Sequence, residues 1–295
     1  MRNHHLFEYL VLLSVAWLAP ATAAQADNIY ALKETRRTVA LVEAAAREIN
    51  TRGEAAFDEF RQPNSRWYQG EHYVFVWDLL GNRHVYPPDP ANEKQNLIGL
   101  EDVGGKPVGK MFVETAASGD GEGWVHYQWN RPHDYLPLWK STYIMRAITP
   151  SGKKYLVGSG IYEGGMEKAF LVEEVDAAAS LLSQQGRQAF KILRDKKSRF
   201  FFHDTYVFVT SATGIELVNP AFPSIEGRNL WDTTDSTGKH LVRDYISVAL
   251  KQGSGWVTYK WPRPGTPHVE ATKTTYVKKV MVNGEPLIVG AGMYE

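Results

Sequence analysis

Two lysine–tyrosine pairs, Lys140 with Tyr143 and Lys273 with Tyr276, recur at the same spacing in two parts of the chain. A lysine entering a strand can carry its ammonium into a small cavity, where a desolvated cation needs an anionic partner. A bound carboxylate would supply it, whereas a solvated lysine at a strand end would need none. Arg131 and Arg263, each followed by proline, offer a second cation. Their planar forks match a carboxylate bidentately, or they stack on Trp129 and Trp261 and brace a loop. Tyr127 with Trp129, and Tyr259 with Trp261, are spaced by two and project from one strand face. They are either core or the wall of a ligand cavity with polar tips. These ten residues form the candidate ligand-binding set. Three-residue spacing puts each lysine and its tyrosine on opposite faces of an ideal strand, so both reach one ligand only across a bulge.

Signals for catalysis are poor. Nine histidines are scattered and form no HExxH-like metal pattern, and no Gly-x-Ser-x-Gly elbow is present. The Gly-x-Gly segments lie in or beside strands, without the helix that a phosphate loop requires. Asp232 and Asp235 are expected to cap a following helix. No catalytic residue, metal or cofactor is assigned. The chain lacks cysteine, which excludes disulfides and thiol catalysis. A formal net charge of zero gives no reason to expect nucleic acid as a partner.

The elements that must position these residues come in two copies. Tyr73-Val74-Phe75-Val76 recurs as Tyr206-Val207-Phe208-Val209, a shift of 206 − 73 = 133 residues. Gly123-Trp124-Val125 recurs as Gly255-Trp256-Val257, and residues 158–163 recur as 290–295. Such register implies duplication of a whole small domain. Each copy opens with a helical pattern (Val39, Val42, Ala46, Ile49, Phe57; then Val172, Val175, Ala179, Leu182, Phe190), broken at Gly53 and Gly186. Two strands follow, then a Pro-rich loop, a short helix over 239–252 in the second copy, and three strands. A loop at Arg263-Pro264 is expected to lead to a strand over 274–282, and Asn283-Gly284 makes a hairpin turn. The fold class is α+β, each module a long helix plus a five- to six-stranded antiparallel sheet. The boundaries are 1–26, 27–164 and 165–295.

Residues 1–26 read as a secretory signal. A weakly basic start precedes a short apolar run, and small-x-small sites allow cleavage after Ala23 or Ala26. Glu8 is unusual there; an uncleaved anchor is the alternative. Export without cysteine suits a periplasmic protein.

These residues resemble the Cache family of extracellular sensor domains, its single-Cache type 2 module in particular. The pattern runs through residues 253–264, Lys273 with Tyr276, and residues 289–294; Asn219-Pro220 and residues 226–230 also fit. The first copy departs at Asn130 and Gln95, where the second has Pro262 and Arg228. The resemblance implies a PAS-like sheet holding a small ligand such as a short carboxylate, amino acid or amine. Most such modules feed a membrane signalling domain. None follows Glu295 in this sequence, so the expectation is an accessory sensor for a membrane receptor or histidine kinase. Family members dimerise through the long helix, which adds a homodimer to the expected partners. Trp67, Tyr135 and Trp139 occur only in the first copy and Trp231 only in the second, so two working pockets would prefer different ligands. The first copy, with more departures, is the candidate for a purely structural role. The competing readings are an envelope scaffold with non-functional pockets and, last, an enzyme.

Overall fold

The computed structural model describes residues 29–132 and 134–295; the expected signal segment, 1–26, lies outside the described residues. Helix α1 (Lys33–Arg52) buries Val39, Val42, Ala45, Ala46 and Ile49 at spacings of three and four. It ends at Gly53, whose φ of 62° few other residues adopt. A 3-10 turn then leads into α2 (Phe57–Phe60). Strands β1 (Tyr68–Gln69), β2 (His72–Tyr73), β3 (Phe75–Asp78) and β4 (Arg83–Val85) follow, then α3 (Val108–Ala117) and the long strands β5 (Glu122–Asn130), β6 (Pro137–Ile148) and β7 (Lys154–Tyr162). The second half repeats this order with α4 (Lys168–Gln185), α5 (Phe190–Arg194), β8 (Phe201–Phe202), β9 (Thr205–Ser211), β10 (Glu216–Val218), α6 (Leu241–Gln252), β11 (Ser254–Arg263), β12 (Thr266–Val282) and β13 (Glu285–Tyr294).

The main sheets are antiparallel and share one topology. Their strand orders are β4-β3-β7-β6-β5 and β10-β9-β13-β12-β11, with β8 added on β9. Each sheet is covered on both faces. In the first half one face packs Val74, Val76, Tyr143 and Val157 with α1, and the other packs Phe75, Trp77, Tyr127 and Ile144 with Phe112 of α3. The second half does the same under α4 and α6. Period-two alternation sends every second residue of a strand to the opposite core. Among the described residues no helix is long and apolar enough to cross a membrane.

Two local expectations change. The Arg263-Pro264 segment is a tight hairpin rather than a loop: Gly265 turns the chain with φ 84°, and β12 pairs with β11 from Thr266 onward. Asp235 does not cap α6, which starts at Leu241 without a side-chain cap. Its carboxylate accepts the backbone N–H groups of Thr237 (2.9 Å), Lys239 (3.0 Å) and Lys260 (2.9 Å). It thereby ties the loop before α6 to β11. Asp102 holds the equivalent loop of the first half through Gly104, Lys106 and Gln128.

The halves are joined by polar and aromatic contacts. Glu173 of α4 accepts the Trp124 N–H of edge strand β5 at 3.0 Å. Arg199 bridges Glu173 (3.1 Å) and Glu174 (2.9 Å). The rings of His126 and Phe202 stack at 4.0 Å, and those of Trp139 and His203 at 4.5 Å.

Candidate functional site

The chemistry-bearing lysines sit on central strands. Lys140 of β6 lies between β5 and β7, opposite Tyr127 and Tyr162. Lys273 of β12 lies opposite Tyr259 and Tyr294. Both are 1% exposed. Such long side chains fit because the facing strand has glycine there. A Cβ on Gly160 would stand 2.5 Å from Lys140 Cε, and one on Gly292 would stand 2.5 Å from Lys273 Cε. The Gly-x-Gly segments therefore make room for a lysine.

The two ammonium groups meet different partners. Lys140 Nζ donates to Tyr73 Oη (3.0 Å) and Tyr162 Oη (3.1 Å), and the Tyr162 hydroxyl donates onward to the Asn130 carbonyl (2.7 Å). Lys273 Nζ makes no hydrogen bond or ion pair among the described residues; it lies over the rings of Tyr206, 3.9 Å from the centroid, and Tyr294, 5.0 Å. Burial lowers the pKa of each to about 7, opposed by Glu71 at Lys140 and by Glu216 and Asp204 at Lys273.

Each module holds a small cavity between the sheet and its short helix. The second, about 20 Å³, is lined by Lys273, Tyr206, Tyr259, Trp261, Glu216, Asn219 and Tyr245, with apolar residues of the covering loop and α6. The first, about 30 Å³, is lined by Tyr73, Phe75, Trp77, Arg83, Tyr86, Phe112, Tyr127 and Trp129 among others. Each has room for about one water molecule, so a carboxylate enters only if the covering loop shifts. Outside the first cavity lies a surface cleft of about 550 Å³ that shares Tyr86 and Trp129 with it.

Of the ten candidates, Tyr127, Trp129, Tyr259, Trp261 and Lys273 line the cavities, and Lys140 lies behind Tyr73. Tyr143 and Tyr276 do not reach them. No bulge intervenes, so they lie on the opposite face, under the long helices α1 and α4, with Tyr143 against Trp124 and Tyr276 against Trp256. Arg131 is held by Glu71 (2.8 Å) and Glu163 (3.7 Å), and Arg263 by Asp204 (3.1 Å) and the Glu295 carbonyl (2.5 Å). Their guanidinium groups lie over Tyr162 and Tyr294, not over Trp129 and Trp261, and brace the strand ends.

The cavities also contain polar groups outside that set. In the second, Glu216 is 2% exposed and accepts from Asn219 Nδ2 (2.7 Å) and Thr210 Oγ1 (2.8 Å), and Thr210 Oγ1 lies 2.9 Å from the Tyr245 hydroxyl. Burial raises the Glu216 pKa to about 7, opposed by those hydrogen bonds and by Lys273. In the first, the matching positions are Arg83, Tyr86, Trp77 and Phe112. Arg83 donates from Nε (3.0 Å) and Nη2 (2.5 Å) to the Asn92 carbonyl and lies over the Tyr86 ring. The signal available in the sequence was the mismatch of Arg83 with Glu216 between otherwise similar copies.

A family model described as Cache domain matches residues 60–173 and again 181–295. Over 119 residues the chain is 29% identical to the methyl-accepting chemotaxis protein McpP of Pseudomonas putida, covering 40% of this chain and 21% of that protein. Over 91 residues it is 34% identical to the sensor histidine kinase MctS of Rhizobium johnstonii, covering 31% of this chain and 19% of the kinase. The chain thus spans about a fifth of the length of these two relatives. A solved periplasmic sensor domain of a chemotaxis protein is 26% identical, with a TM-score of 0.37 over 42% of this chain and 91% of that one.

Proposed function

This chain belongs to the Cache domain family, and on that premise we propose that it is a periplasmic sensor of a small organic anion, such as a short carboxylate, acting as accessory to a membrane signalling system. The observation that carries this reading is Lys273, whose buried ammonium lines the cavity with no hydrogen-bonded partner among the described residues. A carboxylate placed there would supply the charge and acceptors that burial removed. The two-module division at 164/165, export through a cleaved signal, and a receptor or histidine kinase as partner belong to the same proposal. The phenol cage around Lys140 supports giving the first module the weaker anion site.

The small volumes of the cavities favour a second reading, an envelope scaffold with non-functional pockets. A thermal-shift screen of the purified chain with short carboxylates separates the two. A ligand at about 100-fold its Kd adds roughly 2.7 kcal/mol. The sensor reading expects a shift that is lost in Lys273→Met if it arises in the second cavity and in Arg83→Gln if it arises in the first. Absence of any shift, or one unchanged in both Lys273→Met and Arg83→Gln, rejects the anion reading. N-terminal sequencing of exported protein tests cleavage after Ala23 or Ala26.

A further inference from the structure

The duplicated modules invert one buried charge. Arg83 and Glu216 stand at matching positions, each opening the short strand beside the central sheet and each lining its cavity. In the first cavity Arg83 supplies the charge of the lining, which includes no carboxylate among the described residues, and Lys140 stands behind Tyr73. In the second, Lys273 and Glu216 face one cavity and the pair is formally neutral.

Neutrality changes what the second cavity can hold. A bare carboxylate on Lys273 would leave a net negative charge buried beside Glu216, an arrangement that burial penalises. A ligand that also carries an ammonium keeps the filled cavity neutral. Glu216 is prepared for it: each carboxylate oxygen accepts one hydrogen bond, from Asn219 or Thr210, and an ionised carboxylate has acceptor capacity left on both. The cavity's small size restricts the ligand to a compact one.

We propose that the second module takes a compact 2-amino acid, its carboxylate on Lys273 and its ammonium on Glu216, whereas the first, with Arg83 in the place of Glu216, takes an anion without an ammonium. This rests on the anion-sensor reading above and refines it: one chain reports two chemically distinct small molecules. Arg83 and Glu216 are the residues that set the choice.

Calorimetry on the purified chain with matched probes, acetate against glycine and propionate against alanine, tests this. The expected result is an amino-acid site that Lys273→Met eliminates and that Glu216→Gln weakens about tenfold to a hundredfold. Carboxylate binding survives Glu216→Gln and weakens in Arg83→Gln. Binding of acetate or propionate with no amino-acid site overturns the two-ligand inference and leaves the anion reading standing. Amino-acid affinity unchanged in Glu216→Gln does the same. Failure of all four probes to bind overturns both. The comparison of probes on the unmodified chain decides the matter even if a variant misfolds.

Discussion

Gly292 faces Lys273 so closely that a single added methyl would stand 2.5 Å from the lysine Cε and 2.5 Å from Thr275 Oγ1. The position of the ammonium is therefore set by the neighbouring strand as much as by its own. Gly292→Ala should displace Lys273 and cost about 1–3 kcal/mol through overpacking. Chemical denaturation reads the loss, and any anion affinity should fall with it. A variant as stable as the parent would show that the lysine has room elsewhere.

Lys140 offers a pH test in the first module. Its pKa falls from 10.5 to about 7 on folding. Between those values the folded state holds fewer protons than the unfolded, so this group makes stability rise with pH, and its full cost is present below about 7. Lys140→Met should therefore be favoured over the parent most strongly near pH 6 and progressively less toward about pH 10. Melting curves across that range give the difference; a gap independent of pH would mean that the ammonium is well solvated.

The opposite sign holds for Glu216, whose pKa rises from 4.5 to about 7. The folded state holds more protons in that interval, so this group's contribution falls as pH climbs from 4.5 through about 7. Glu216→Gln should remove that decline. If the parent and the variant keep parallel stability profiles through the interval, Glu216 titrates as an ordinary carboxylate.

Asp235 anchors the loop before α6 by accepting three backbone N–H groups, and they hold its pKa below the usual carboxylate range. Stability from such a group is present above the ordinary aspartate value and is lost as pH falls through the lowered one. Asp235→Ala should cost roughly 1–3 kcal/mol and speed amide exchange at Lys239 and Lys260. Unchanged protection at both amides would contradict the anchoring role.

Arg199 pairs with both Glu173 and Glu174 where the halves meet. Removing it takes the paired cation from both carboxylates, and Arg199→Ala should cost about 3–5 kcal/mol. Because Glu173 also accepts the Trp124 N–H, the melting transition should broaden or split. A single sharp transition at the parent's temperature would show that this contact does not couple the halves.

Much of the fold was legible because the copies keep register and each strand alternates. Val257 and Tyr259 reach the α6 side, with Trp261 packed against them, as their spacing implies, and Asn283-Gly284 turns with positive φ at both residues. The site was harder to read. Tyr143 and Tyr276 travel with the lysines in sequence yet face the other core, since a spacing of three reverses the side of a strand. Lys140 and Lys273 look equivalent but differ in space: one is bonded to two phenols, the other lies over rings without a hydrogen bond. Arg83 and Glu216 do not stand out in the sequence, because a repeat is recognised by what matches. Their burial also depends on a loop that folds back from farther along the chain, which local pattern does not encode.

The bond from Trp124 to Glu173 gives the duplication a direction. The α4 helix covers its own sheet and also closes the open edge of the sheet before it. Among the described residues no helix of a following module covers the matching edge of the second sheet, where Trp256 is 36% exposed and meets Lys168 of its own module. The copies thus meet through unlike surfaces, front to back, with no two-fold axis relating them. Contacts of this kind extend a series and do not pair like faces.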